Sequence, residues 1–262
     1  VSSWIEKNIL KSTGFFGRIS LTIALNELSL MESHQLLKSL KIKGSVFEEF
    51  MILSITGGIP WYLQLFNPTL TISENIKNLC FTPQGTLVTE FSYIFHDLFH
   101  KRGDICKKII EKLSEGPLPY TDIAEQIAYA SGGPLSDYLD DLMTAGFICR
   151  NFTWSLKTGK PSRLSHYRLS DNYIRFYLKY IQPSMDRIER GQFQNISLSS
   201  LSGLDVFMGY QFENLVLKNR DLIIHALGIR SEEIVTENPF FQRKTKEQEG
   251  CQIDYLIQTK YG

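Results

Sequence analysis

Read as a pattern of apolar and polar positions, the chain opens with helical spacing. Trp4 to Leu10 predicts a short helix ending near Gly14, followed by the aromatic stretch Phe15-Phe16-Gly17-Arg18; the near-alternating apolar residues of Leu21 to Leu30 admit a strand. From Glu32 to Leu40 and from Ser45 to Thr56 apolar residues recur every three or four positions (Leu36, Leu37, Leu40; Phe47, Phe50, Met51, Ile55). The second of these helices stops at Gly57-Gly58, where left-handed backbone is cheap, just ahead of Pro60. Gly85 to His100 carries a wide apolar stripe (Leu87, Phe91, Ile94, Phe95, Leu98, Phe99) of the kind that faces a core.

The middle of the chain has a different order. Asp104 to Glu115 is amphipathic and closed by Gly116-Pro117-Leu118-Pro119; Thr121 or Asp122 can cap a short second helix, the latter with Glu125 in a capping box. Ser131-Gly132-Gly133-Pro134 breaks it, and Leu135 to Ala145 predicts a third helix ended by Gly146. Phe147 to Phe152 and His166 to Leu169 have strand character on either side of the polar, Gly-Pro-bearing Lys157 to Ser165. Three helices and a hairpin spell a winged helix. Beyond it come an aromatic helix (Asn172 to Tyr180, ended by Pro183), a Ser-rich connection (Gln194 to Gly203), a helix from Leu204 to Leu227 stopped by Gly228, and a strand (Ile253 to Ile257). Helix then strand suggests the start of an α/β domain. The fold class expected is mainly α with small β elements.

Composition narrows the functions. The 262 residues carry 28 basic and 28 acidic side chains, so any attraction to nucleic acid or to an anionic surface must be local. No apolar run approaches the roughly 20 residues of a membrane span. Cys80, Cys106, Cys149 and Cys251 form no CxxC pair and no dense framework, which points to a reducing cytoplasm. Val1 in place of methionine and the end at Tyr261-Gly262, soon after an apolar run, suggest a fragment of a longer product.

Val1-Ser2-Ser3-Trp4-Ile5-Glu6-Lys7, Phe16-Gly17-Arg18, Gly57-Gly58-Ile59-Pro60-Trp61-Tyr62-Leu63, Tyr167-Arg168-Leu169-Ser170-Asp171 and Arg175-Phe176-Tyr177 together resemble the archaeal-type AAA/STAND ATPases. The resemblance covers nearly the whole chain and rests on the order of these motifs. It implies the end of an ATPase core over residues 1–30, a helical lid over 31–100, a winged helix over 101–182, and a truncated domain similar to PD-(D/E)XK nucleases over 183–262. It also implies ATP and magnesium as cofactors of the intact family protein, with none expected for this chain alone. Gly57, Gly58 and Pro60 would line the adenine side of the nucleotide site in that family. Glu213 matches its helical nuclease acid and Asp254 its metal-binding aspartate, while the E-x-K strand would begin after Gly262. A phosphate-binding loop is lacking: the Gly159-Lys160 pair is followed by Pro161, where a hydroxyl is needed for magnesium.

Each signal has an ordinary reading beside it. Gly57-Gly58-Ile59-Pro60 also simply ends a helix. Arg18 serves either as a charge sensor for nucleotide or as a surface residue. His96 and His100 lie one helical turn apart as in metal-binding helices, but equally as two histidines at the edge of an apolar helix, with no third ligand evident. Arg243 to Glu249 reads as a solvated loop. The third helix of the winged unit carries Asp137, Asp140 and Asp141 and no lysine or arginine, which opposes phosphate; Arg150, Lys157, Lys160, Arg163, His166 and Arg168 cluster on or beside the wing and could meet DNA there. The expected function is therefore that of a C-terminal fragment of an AAA/STAND-type ATP-binding protein, inactive by itself as ATPase or nuclease. The alternative is a winged-helix DNA-binding regulator, and a nuclease completed by another chain is a third reading. Partners would be DNA through the wing, a missing ATPase part, or a second copy, and no membrane.

Overall fold

The computed structural model describes residues 25–99, 103–193, 196–244 and 249–261, together with positions 14, 18, 20, 21 and 23; the side chains of residues 96–99 are excepted. The helix expected over Trp4 to Leu10, the Phe16-Gly17 pair and the His96 and His100 side chains lie outside the described residues. What is described is mainly helical, with two small antiparallel sheets of two strands each.

A helical layer comes first: α1 (Leu30–Ser39), α2 (Val46–Thr56), α3 (Pro60–Gln64), α4 (Ile72–Cys80) and α5 (Thr86–Phe99). Ser29, Ser45 and Thr71 cap α1, α2 and α4, each in a reciprocal box with the glutamate three residues on (Glu32, Glu48, Glu74). Such boxes satisfy orphan N–H groups and contribute about 1 kcal/mol apiece. The Ser29 box also explains why the strand admitted over Leu21 to Leu30 does not appear among the described residues. Leu30 already belongs to α1, and Leu25 is 93% exposed in an irregular approach to it.

Next come α6 (Gly103–Ser114), α7 (Tyr120–Gln126) and α8 (Gly133–Thr144), then β1 (Ile148–Trp154) paired antiparallel with β2 (Pro161–Leu169). Pro119 occupies the N-cap of α7 without a side-chain bond, so neither Thr121 nor Asp122 caps it; the Thr121 hydroxyl donates instead to Asp122 Oδ1 at 2.9 Å. Gly146, at φ +82°, turns the chain out of α8 into β1. Strand β2 takes in Pro161 to Ser165 as well as the expected His166 to Leu169, and the register slips between Phe152 and Trp154 to accommodate Pro161.

The remainder begins with α9 (Asn172–Phe176), which widens into a π turn (Tyr177–Ile181), and continues through a short turn at Pro183 into α10 (Met185–Glu189), α11 (Leu204–Lys218) and α12 (Arg220–Ala226). The single helix expected from Leu204 to Leu227 is broken at Asn219. There the backbone leaves the helical region (φ −125°), and the side chain donates to Leu215 O at 2.8 Å and accepts from Leu30 N at 2.8 Å. The chain ends in an antiparallel hairpin, β3 (Ile234–Gln242) with β4 (Cys251–Thr259), whose first strand lies against β1.

One continuous core runs through the helical layer, the three-helix-and-hairpin unit and α9. The aromatic α9 is its hub. Tyr173 donates to Leu87 O at 2.9 Å, Tyr177 stacks on Phe91 at 4.2 Å, and Phe176 meets Phe81 at 6.0 Å and Phe207 at 5.7 Å. Among the described residues no helix is long and apolar enough to cross a membrane.

Candidate functional site

The Gly57-Gly58 turn follows directly from the end of α2. Gly57 sits at φ +60°, a conformation costly to any residue with a Cβ, and a Cβ on Gly58 would stand 2.1 Å from Leu28 O. Glycine at both positions lets the segment before α1 press onto the turn. Leu28 N donates to Gly58 O at 2.8 Å, the Glu27 carboxylate accepts from Gly58 N at 3.4 Å, and Lys218 at the end of α11 closes the contact at 2.6 Å from the same carboxylate oxygen. Behind them lies a cavity of about 20 Å³ lined by Glu27, Ser33, Gly57, Gly58, Asn172 and Lys218, among others. That is room for about one water and not for an adenine. Asp171, half-buried beside it, caps α9 by accepting from Ile174 N at 2.8 Å; burial, and then the neighbouring Glu27, push its carboxyl up to about 6. The residues present at this turn therefore do not by themselves fit ATP. Pro60 supplies the first turn of α3, and Arg18 is exposed.

The basic residues of the β1–β2 hairpin divide between its two faces. Arg150, Lys157, Lys160 and Arg163 are exposed. Arg168 is not: it is 6% exposed and points to the other face, where its Nε lies 3.7 Å from Glu213 Oε1. That face is covered by the C-terminal hairpin. Asn151 donates to Asn238 at 3.1 Å, the Trp154 indole to Gln258 at 2.7 Å, and the His166 ring stacks on Phe241 at 3.8 Å. The expectation that Arg168 contacts nucleic acid does not fit this burial. Its pairing with Cys149, one step out of phase with the Arg150–Tyr167 pair, is the physical reason.

Helix α11, which carries Glu213, lies against β4, which carries Asp254, and the Asp254 charge acts on the Glu213 carboxyl. Burial raises that carboxyl above the usual range while Arg168 opposes the rise. Arg175 completes the group: it is 3% exposed, donates to Ser114 O at 3.1 Å and to Leu169 O at 2.7 Å, and stacks on Tyr210 at 4.9 Å. Burial and the adjacent Arg168 lower it to about 10. With Glu213 committed to an arginine and Asp254 exposed on β4, two carboxylates do not make a magnesium site. Among the described residues no group of three or more His, Cys, Asp or Glu side chains converges to hold a metal.

Several residues at these sites gave no chemical signal in the sequence. Glu27 and Lys218 are 191 positions apart, and only the fold joins them. A buried amide network links α2, α9 and α11: Gln211 donates to Ser54 O and to Asn172 O (3.0 Å), Asn172 to Leu53 O (2.9 Å), and Asn214 to Asn172 Oδ1 (2.8 Å). Asn and Gln inside an apolar helical pattern were the only available hint.

No family model matches the chain, and no solved structure matches it. A protein of Methanocaldococcus jannaschii, described as uncharacterized protein MJECL04, is 26% identical over 176 residues, a match that covers 65% of this chain and 37% of that protein. The chain thus spans well under two thirds of its archaeal relative.

Proposed function

We propose that this chain is the lid, winged-helix and C-terminal portion of an AAA/STAND-type ATP-binding protein, and that by itself it couples parts of that machine without performing its chemistry. The observation that carries this reading is the joint at Gly57-Gly58. A segment ahead of the helical layer is pressed onto the turn by a backbone bond at 2.8 Å and tied to the end of α11 through Glu27 and Lys218, so a displacement upstream reaches the C-terminal region directly. The order of elements, a helical layer followed by three helices and a hairpin, agrees with a lid and a winged helix. The longer archaeal relative leaves room for an ATPase core outside the matched region.

In this reading ATP and magnesium belong to the whole protein. The cavity at the turn is too small for an adenine, and Glu213 is engaged by Arg168, so neither ATP hydrolysis nor nucleic-acid cleavage is assigned to these residues. Four free cysteines, two of them buried, agree with a reducing cytoplasm. The test is direct. Purified chain incubated with ATP and magnesium should release no phosphate above a buffer control. Turnover that co-purifies with the chain and is lost on its denaturation would refute the proposal.

A further inference from the structure

Successive residues of a strand face opposite ways, so the pairing of Arg150 with Tyr167 and of Phe152 with Ser165 puts Arg150, Phe152, Ser165 and Tyr167 on one face of the hairpin. The other face is taken up by the C-terminal hairpin through Asn151 and His166 and by α11 through Arg168. On the first of these faces Tyr167 and Ser165 are buried, while Phe152 is 40% exposed. Arg150 is held flat beside it: its Nε donates to Ser165 Oγ at 2.8 Å, and its guanidinium lies 4.6 Å from the Phe152 ring centre and 5.2 Å from that of Tyr167. Such a guanidinium has already lost most of its rotamer freedom and meets an anion at little further entropic cost. Arg163 is exposed farther along β2, and Lys157 and Lys160 are exposed in the turn beyond.

The neighbourhood selects among polyanions. Helix α8 presents Asp137 and Asp140 on exposed positions and has no Lys or Arg along its length, and the Asp140 charge reaches Tyr167 on the hairpin. A duplex seated on the hairpin would bring its second strand of phosphates against these carboxylates. A single strand can follow the row Arg150, Phe152, Arg163 and the lysines of the turn without crossing α8. Arginines for phosphates with an exposed ring between them for a base make the combination that holds single strands without reading sequence.

We propose that this face of the hairpin binds single-stranded nucleic acid, with Phe152 stacking on a base and Arg150 and Arg163 taking the flanking phosphates. The site is independent of the ATP-related reading, because it lies wholly within the hairpin.

Fluorescence anisotropy of the full chain with a labelled, unstructured single strand of about 16 nucleotides, and with the matching duplex, tests it. The single strand should bind more tightly. Phe152→Ala should weaken it roughly tenfold while leaving the salt dependence unchanged, and Phe152→Tyr should restore it. Arg150→Gln and Arg163→Gln should each weaken it and flatten the log–log salt slope by about 0.7. Asp137→Asn with Asp140→Asn should bring the duplex closer to the single strand. Arg163 is exposed, so its variant separates binding from folding, and circular dichroism checks all of the variants. Duplex bound as tightly as single strand, or Phe152→Ala and Arg163→Gln both binding like the unaltered chain, would overturn the proposal.

Discussion

Asp171 stands where the segment before α1, helix α9 and the end of α11 meet, with the Glu27 carboxylate and the Lys218 ammonium as its charged neighbours. Its side chain is committed as the cap of α9, so it cannot turn away to solvent. Because burial raises it from 3.8 to about 6, the folded chain holds this proton to a higher pH than the unfolded chain does. Its stabilising effect is therefore complete below the unfolded value and is lost as pH climbs through about 6. Glu213, also raised by burial, acts with the same sign. The capping carboxylates Glu32, Glu48 and Glu74 act oppositely: each is lowered from 4.5 by bonds to its capping residue, so their contribution is lost as pH falls. Stability should be highest at about pH 4 and decline toward about pH 6, levelling off above it, on the order of 1 kcal/mol or more, as read from urea midpoints. Asp171→Asn keeps an oxygen to cap α9 and removes the charge, so it should flatten the alkaline decline. If the variant declines as steeply as the unaltered chain, Asp171 is not the source.

At the scale of elements, the junction between β2 and α11 rests on an arginine and a glutamate that are both largely withdrawn from water, with side chains 7% and 12% exposed. Glu213→Gln leaves Arg168 buried without its counter-charge beside Arg175 and should cost about 3 kcal/mol in chemical denaturation, whereas replacing both partners together with Met and Leu should cost far less. Equal losses from the single and the double change would show that the pair carries no coupling. Much of the surrounding architecture was legible in the sequence: α1, α2, α5 and α6 follow their apolar spacing to within about two residues, and Gly57 and Gly146 end helices where their φ angles require glycine. Helix α4 is likewise marked in the sequence, by Ile72, Ile76, Leu79 and Cys80 behind the Thr71–Glu74 box. Strand β3 was not legible. Glu237, Asn238 and Pro239 interrupt its pattern, and a slip in pairing between Asn238 and Phe240 absorbs the proline. Among the candidate residues, the choice of Glu213 and Asp254 followed from the resemblance. The burial of Arg168 did not, since a basic residue in a strand shows its face only once the neighbouring hairpin is in place.

Across the whole molecule, the buried amides set how far the parts act as one. Asn172 in α9 bonds to α2 and receives from α11, while Gln211 reaches the last turn of α2, so three stretches of sequence from Leu53 to Asn214 share one hydrogen-bonded network inside the core. Opening any one of them would strand buried polar groups on the other two, each at about 1–3 kcal/mol. This favours a single cooperative transition over stepwise loss of a lid, a winged helix and a tail. Two tryptophans report on distant regions. Trp61 lies in α3 of the helical layer, and Trp154 sits at the hairpin junction against Phe240 with its indole bonded to Gln258. With Trp4 replaced by Phe, variants retaining only Trp61 or only Trp154 should each unfold in urea with a fluorescence midpoint matching the midpoint of their own far-ultraviolet circular dichroism. A Trp154 transition well ahead of the helical signal would mean that the C-terminal hairpin detaches as its own unit. The coupling inferred from the Gly57-Gly58 joint would then end at α11.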